Sequence, residues 1–311
     1  MTDKMLVSVI VPTYNRKQLL KNALNSILNQ TYSNYEIIII DDCSTDGTGD
    51  YVSALDNNRI KYHRNDQTLY AAESRNRGII NSSGDLVAFL DDDDEWYNEK
   101  LEKQVALFNK PEVGIVYSSI ELFFENNNIS YNSKPKLKGQ IHKELLIKNY
   151  IGATPSVMIR REALDGLRAN KYFDASFPAR EEYDLWIRLS RSWEVDFVAE
   201  PLVKQYYRTD IQRISTDVDN YVEAIKLLNR KYDIEVKRDL TGFQQSTRSY
   251  FQQFFLGSQA IKNGNSKLAR KYYLKAFLIN RSLKALASYL FSFFGAKAVI
   301  LSRYYFDKVT A

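Results

Sequence analysis

Residues 6–11 and 37–40 are nearly unbroken apolar runs, LVSVIV and IIII. Between them Leu19, Leu20, Ala23, Leu24, Ile27 and Leu28 recur at helical spacing on one face. Strands buried on both faces of a parallel sheet show such continuous runs. A strand, a helix and a strand in this order therefore predict a βαβ unit. The alternation continues with a short strand at 59–63, a helix at 71–80, a buried strand at 86–90, a helix at 98–108 and a strand at 113–118. Residues 125–138 turn polar and Asn-rich and predict a surface loop. An apolar segment at 156–159 and a helix at 183–189 follow. From about residue 223 the strand pattern stops. Ala260, Ala269, Tyr273 and Ala276 are then spaced like a helical hairpin. The change of period predicts an α/β domain over residues 1–218 and a helical region over 219–311.

A chain of 311 residues can bury one large core and a smaller appendage. Its single cysteine, Cys43, excludes an intrachain disulfide and a Cys-based zinc site. With only His63 and His142, any metal should be a hard cation on oxygen ligands. The first apolar run is too short for a secretory leader, so the expectation is a cytoplasmic chain. Charge is uneven. Residues 261–311 hold ten basic side chains against one acid, Asp307, a net +9 in a chain whose total is +5. Such a tail suits an anionic partner, either a membrane surface or a nucleic acid. No zinc finger or RNP-type motif accompanies it, so nucleic acid is not expected. Residues 285–301, ALASYLFSFFGAKAVIL, fall short of the roughly 20 apolar residues of a spanning helix. They predict an interfacial or buried segment, the former resting on an anionic leaflet at the inner face of the membrane.

In an open α/β sheet, ligands bind beyond the carboxyl ends of the strands. The first run ends in Pro12-Thr13-Tyr14-Asn15, the second in Asp41-Asp42, and the run at 86–90 in Asp91-Asp92-Asp93-Asp94. One crevice is thus offered an aromatic ring, hydrogen-bonding groups and carboxylates. Four adjacent carboxylates repel one another and are tolerable in solvent, at a helix N-terminus or beside a cation. A divalent ion bridging them to a diphosphate is the natural use. A third cluster, Glu181-Glu182-Tyr183-Asp184, leads into a helix. It is either a helix N-terminus of ordinary type or the source of a general base, and local spacing leaves both open. No glycine precedes Gly47, which argues against a nucleotidyltransferase with a Gly-rich phosphate loop.

The segment Val7 to Asn15, the helix ending Asn29-Gln30-Thr31-Tyr32, the stretch Glu36 to Thr48, Ser74-Arg75-Asn76-Arg77-Gly78, Gly84 to Asp94, Glu181 to Leu189 and Tyr207-Arg208 occur in order. Together they resemble family 2 glycosyltransferases of the GT-A fold, a Rossmann-like, mostly parallel sheet flanked by helices, over about residues 5–215. The resemblance implies that Tyr14 and Asp42 meet the nucleotide base, which suggests uracil, that Pro12 belongs to the nucleotide-sugar site, and that Arg75 approaches the nucleotide. Asp91, Asp92 and Asp93 cover the metal-binding DXD motif. Asp93 is the expected direct ligand of Mn²⁺ or Mg²⁺, with Asp91 or Asp92 toward ribose or metal-bound water. The usual Glu-Asp pair stands here as Glu181-Glu182. Glu182 is the expected base, with Glu181 and Asp184 as rivals. Asp210 stands where many relatives place a histidine, and is either a metal ligand or a loop residue. There is no Gln-x-x-Arg-Trp motif, which favours transfer of a single sugar. The implied activity is inverting, metal-dependent transfer from a nucleotide-sugar donor, a UDP-sugar, to a hydroxyl of a saccharide or lipid-linked oligosaccharide acceptor in surface polysaccharide synthesis. The alternative is an inactive domain that only binds nucleotide sugar.

Overall fold

The computed structural model describes residues 5–125, 128–167, 172–207, 217–299 and 301–302. The described chain divides into two compact units. The first comprises Met1–Ile141, Tyr150–Ala175 and Glu181–Tyr207, and the second His142–Asn149, Ser176–Arg180 and Arg208–Ala311. The second unit thus also draws on two short internal segments, and its main stretch begins before residue 219.

The first unit is built on one mixed sheet. Its strands are β1 (Val7–Thr13), β2 (Tyr35–Asp41), β3 (Ile60–Arg64), β4 (Leu86–Phe89), β5 (Asp94–Trp96), β6 (Val113–Phe124), β7 (Ile129–Asn132), β8 (Met158–Arg160) and β9 (Glu194–Tyr207). The order is β3-β2-β1-β4-β8-β6-β9-β5, with β7 hydrogen-bonded to β6. Strands β3, β2, β1 and β4 are mutually parallel, β8 is antiparallel to β4 and to β6, and β9 runs parallel to β6. The apolar runs are the central strands, and every residue of β2 is buried. Helix α1 (Lys17–Leu28) buries Leu20, Ala23, Leu24 and Ile27 completely. Each of its large aliphatic side chains contributes about 1.5–3 kcal/mol of burial. Helix α2 (Thr48–Ser53) follows β2, and α3 (Tyr70–Ile80) crosses from β3 to β4. Gly78 lets α3 lie directly on β1, since a Cβ there would sit 2.3 Å from Ile10.

At the amino ends of the central strands, Glu36 accepts hydrogen bonds from Ser8 Oγ and Ser83 N, both 2.7 Å, and pairs with Lys61 at 2.6 Å. Burial alone would raise its pKa. Lys61, Ser8 and Ser83 outweigh burial and hold it down at about 2.

The sheet departs from the expected one in its second half. The loop expected over 125–138 contains β7, which pairs with β6. Strand β6 runs on to Phe124, and β9 is a 14-residue strand absent from the expectation. The helix expected at 98–108 is α4 (Lys100–Val105) continued by a 3₁₀ turn (Ala106–Asn109). The acidic run is no helix start. It makes a turn between β4 and β5, and Asp94 accepts from Gln205 Nε2 and Tyr206 N on β9, at 3.1 and 3.3 Å.

The second unit contains α5 (His142–Ile147), and the first α6 (Arg161–Asp165) and α7 (Glu181–Leu189). The second unit then runs through α8 (Val218–Lys231), α9 (Asp233–Asp239), α10 (Gly242–Lys262), α11 (Ser266–Asn280) and α12 (Leu283–Phe291). Ala260, Ala269, Tyr273 and Ala276 are all fully buried, as the hairpin spacing requires. Helix α10 is started by a capping box between Thr241 and Gln244. Among the described residues no helix is long and apolar enough to cross a membrane.

Candidate active site

The carboxyl ends of β1, β2 and β4 converge with the start of α7. At the end of β1, Thr13 Oγ1 donates to Asp92 Oδ2 at 2.8 Å. Asn15 turns the chain with φ of 50° and accepts from Thr45 N at 2.7 Å, joining the loops after β1 and β2. Tyr14 next to it leaves half its surface exposed. A half-exposed aromatic ring at this strand end suits stacking on a planar base. Pro12 is half-buried in the last turn of β1.

Arg16, which the sequence patterns did not single out, points back into the acidic turn. Its Nη1 lies 3.1 Å from Asp92 Oδ1 and 3.3 Å from Asp93 Oδ2. Burial disfavours its charge, but the neighbouring aspartates hold its pKa above the usual arginine value. Asp92 is nearly fully buried, and that burial, reinforced by Asp93, pushes its pKa up to about 7 against the pull of Arg16 and Thr13. A carboxylate so placed responds strongly to any added cation.

Asp92 and Asp93 therefore reach one cationic nitrogen together. This donor set fits a divalent ion that takes its remaining ligands from phosphate and water. Among the described residues no group of three or more acids, histidines or cysteines converges on a metal position. Asp210 lies outside the described residues. Asp91 turns the other way, to Arg75.

Arg75 ties the site together. From α3 its Nη2 donates to Asp91 Oδ1 at 2.7 Å and its Nη1 to Glu181 Oε1 at 2.8 Å. Burial opposes its charge, but Asp91, Glu181 and Glu182 outweigh it and raise its pKa beyond the ordinary value. Its guanidinium lies 5.6 Å from the Phe173 ring, and its buried Nε has no hydrogen-bond partner among the described residues. The neighbouring Asn76 fixes that ring by exchanging two hydrogen bonds with the Phe173 backbone, 2.8 and 2.9 Å. Residues 106 positions apart in sequence, Arg75 and Glu181, thus share one ion pair.

Helix α7 presents Glu181 and Glu182 in its first turn. It is anchored by the fully buried Trp186, whose Nε1 donates to Gly152 O at 3.2 Å. Asp184 does not belong with the two glutamates. Its side chain is 0% exposed and accepts from Arg188 Nε at 2.8 Å, one turn on. The structure argues against Asp184 as a base, because a proton acceptor must reach the substrate.

Asp42 is held by Asn65 Nδ2, Leu69 N and Tyr70 N at 2.7, 2.7 and 2.9 Å. Oδ1 takes two of these bonds and Oδ2 one, so Oδ2 keeps acceptor capacity. Asp41 is buried and structural, accepting from Tyr62 Oη and Ser44 N.

A family model described as glycosyl transferase family 2 matches residues 8–168, about half of the chain and the part that carries β1, β2, β4 and the acidic turn. The chain belongs to glycosyl transferase family 2. Its relatives agree. An uncharacterized glycosyltransferase of Haemophilus influenzae is 31% identical over 286 residues, 90% of this chain and 92% of that protein. The Escherichia coli UDP-Glc:alpha-D-GlcNAc-diphosphoundecaprenol beta-1,3-glucosyltransferase WfgD is 29% identical over 232 residues, 75% of this chain and 86% of that protein. Two solved structures share the GT-A fold at lower identity. S. aureus TarS 1–349 matches with a TM-score of 0.55 at 18% identity, over 92% of this chain and 91% of that one. The Pyrobaculum calidifontis mannosyltransferase PcManGT, solved with GDP-Man and Mn²⁺, matches with a TM-score of 0.58 at 18% identity, over 92% and 79%. Within this family 2 framework the parallel run β3-β2-β1-β4 carries the acidic turn.

Proposed function

We propose that this protein transfers a single sugar, with inversion, from a UDP-sugar to a hydroxyl of a lipid-linked saccharide in surface polysaccharide synthesis. The observation that carries the reading is the Arg75 bridge. It sets the first turn of α7, the source of a base, beside the acidic turn, the seat of the donor diphosphate. The similarity to a glucosyltransferase whose name specifies UDP-Glc and a diphosphoundecaprenol acceptor supports the choice of donor and acceptor class.

In this reading Tyr14 stacks on the base, and Asp42 accepts from it through Oδ2, with Pro12 shaping the same wall. Asp93, with Asp92, would hold Mn²⁺ or Mg²⁺, which would supply positive charge to the departing diphosphate. Arg75 orients Asp91 toward the donor and engages Glu181. Glu182, whose charge also reaches Arg75, takes the proton from the acceptor hydroxyl as it attacks the anomeric carbon. Glu181, committed to Arg75, positions this turn of the helix.

The test is the product. Incubation with an α-linked UDP-sugar and a diphosphate-lipid saccharide, with the new linkage read by nuclear magnetic resonance, should give a β-linkage and one added sugar. An α-linked product, or a polymer, contradicts the reading.

A further inference from the structure

The second unit contains a helix that buries small and polar side chains completely while several large apolar ones stay exposed. On α12 the fully buried side chains are Ala285 and Ser288, continued by Ser292, with Tyr289 partly buried against the core. The opposite face, at helical spacing, carries Leu283, Leu290 and Phe291, all exposed. The chain then makes a 3₁₀ turn (Ser292–Phe294) that leaves Phe293 and Phe294 in solvent, Phe294 at 79%. Gly295 ends it with φ of 89°, a conformation other L-residues rarely adopt, so the segment cannot continue as one straight helix. A helix stabilised only by its own fold would put leucine and phenylalanine inside and serine outside. A cluster of exposed large apolar side chains close together in sequence suits an interaction surface.

The surrounding charge identifies the partner. Residues 261–302 contain no aspartate or glutamate. The outward face of α11 repeats Lys267, Lys271 and Lys275 around Leu274 and Leu278, while Ala269, Tyr273 and Ala276 face inward. Arg270 links this face to the turn, donating to Ser292 O at 3.2 Å with its guanidinium 4.6 Å from the Phe293 ring. Aromatic tips interleaved with cations, on a segment without acids, match an anionic lipid interface. There the rings enter the acyl boundary and the cations meet the headgroups.

We propose that α12 and the following 3₁₀ turn form a membrane-docking edge, with Leu290, Phe291, Phe293 and Phe294 entering an anionic leaflet and the basic side chains of α11 lying at headgroup level. The edge extends the lipid-linked-acceptor reading given above, and gives that acceptor's membrane a defined contact. Its test does not depend on sugar transfer.

The full chain is sedimented with vesicles of phosphatidylcholine alone and of phosphatidylcholine with phosphatidylglycerol. Wild type should pellet with the anionic vesicles and release at high salt. The variant Phe293→Ser/Phe294→Ser should lose at least about tenfold in partitioning while its melting temperature and UDP-sugar binding stay unchanged. Lys271→Gln/Lys275→Gln should lose about tenfold on anionic vesicles alone. Absence of wild-type binding, or equal binding by the serine variant, overturns the proposal. So does a concentration-dependent dimer of wild type that the serine variant abolishes in the absence of any vesicle binding, which would assign the edge to a second copy of the chain. Loss of sugar transfer with vesicle binding intact would instead count against the enzymatic reading alone.

Discussion

The acidic turn after β4 and the basic face of α11 solve opposite problems in different ways. In the turn, each unfavourable charge is answered within the same unit. Arg16 holds Asp92 and Asp93, and Arg75 holds Asp91 and Glu181. Along α11 and α12 the chain supplies cations and no acid of its own between residues 261 and 302. The first arrangement is a preorganised cluster whose counter-charges are already in place. The second is a run of cations with no acid in its own segment, a surface suited to an anionic partner.

The largest effect expected within the site is on catalysis. Glu182→Gln keeps size and hydrogen bonding but cannot accept the proton. It should lower kcat by about 10²–10⁴-fold with donor affinity unchanged. Glu181→Gln should instead change kcat and donor affinity together, because Arg75 loses a partner. Equal behaviour of the two variants in steady-state kinetics would remove the distinction between base and positioning residue.

Next comes the bridge itself. Arg75→Met leaves Asp91 and Glu181 facing each other without their cation, and should cost about 3–5 kcal/mol in denaturant unfolding. A loss below about 1 kcal/mol, as for an exposed pair, would mean that the site is not held by this charge network.

Arg16 gives a smaller effect with a sign that ordinary site mutations lack. If it occupies the position a divalent ion takes, Arg16→Ala should tighten Mn²⁺ binding in the absence of nucleotide by roughly tenfold. Titration followed by the Mn²⁺ paramagnetic signal reads this directly. Weaker binding would show that Arg16 assists the ion rather than standing in for it.

An effect of similar size lies away from the site, at Glu36. Its folded pKa of about 2 is below its ordinary value of 4.5, so its contribution is present above about pH 4.5 and fades as pH falls toward 2. Glu36→Gln should cost about 1–2 kcal/mol at neutral pH, and the difference from wild type should close on acidification. A gap that persists at the lowest pH at which both proteins fold would assign the loss to packing.

These residues also show what the sequence can and cannot reveal. Strands β1, β2 and β4 were legible because strands buried on both faces leave unbroken apolar runs, and α1 because its buried face repeats with the helical period. Strand β9 was not, because its burial alternates irregularly and its register with β6 shifts around Pro201. Strand β5 was hidden inside an acidic run whose last member, Asp94, hydrogen-bonds across to β9. Arg16 carried no pattern, since one arginine after a turn looks like any other. Asp184 did carry a signal. An arginine one turn later, Arg188, marks it as half of an i,i+4 pair rather than a free acid. The exposed face of α12 was legible only as an apolar stretch, because which side turns outward depends on the helices it packs against.

The central claim is that Asp92 and Asp93 hold a metal that binds the donor diphosphate. Calorimetric titration of UDP, GDP and their sugars, with and without Mn²⁺, into wild type and Asp93→Ala tests it most directly. The account predicts UDP-sugar binding strengthened by Mn²⁺ in wild type, and loss of that strengthening, by at least about tenfold, in the variant. Metal-independent binding that Asp93→Ala leaves unchanged would contradict it.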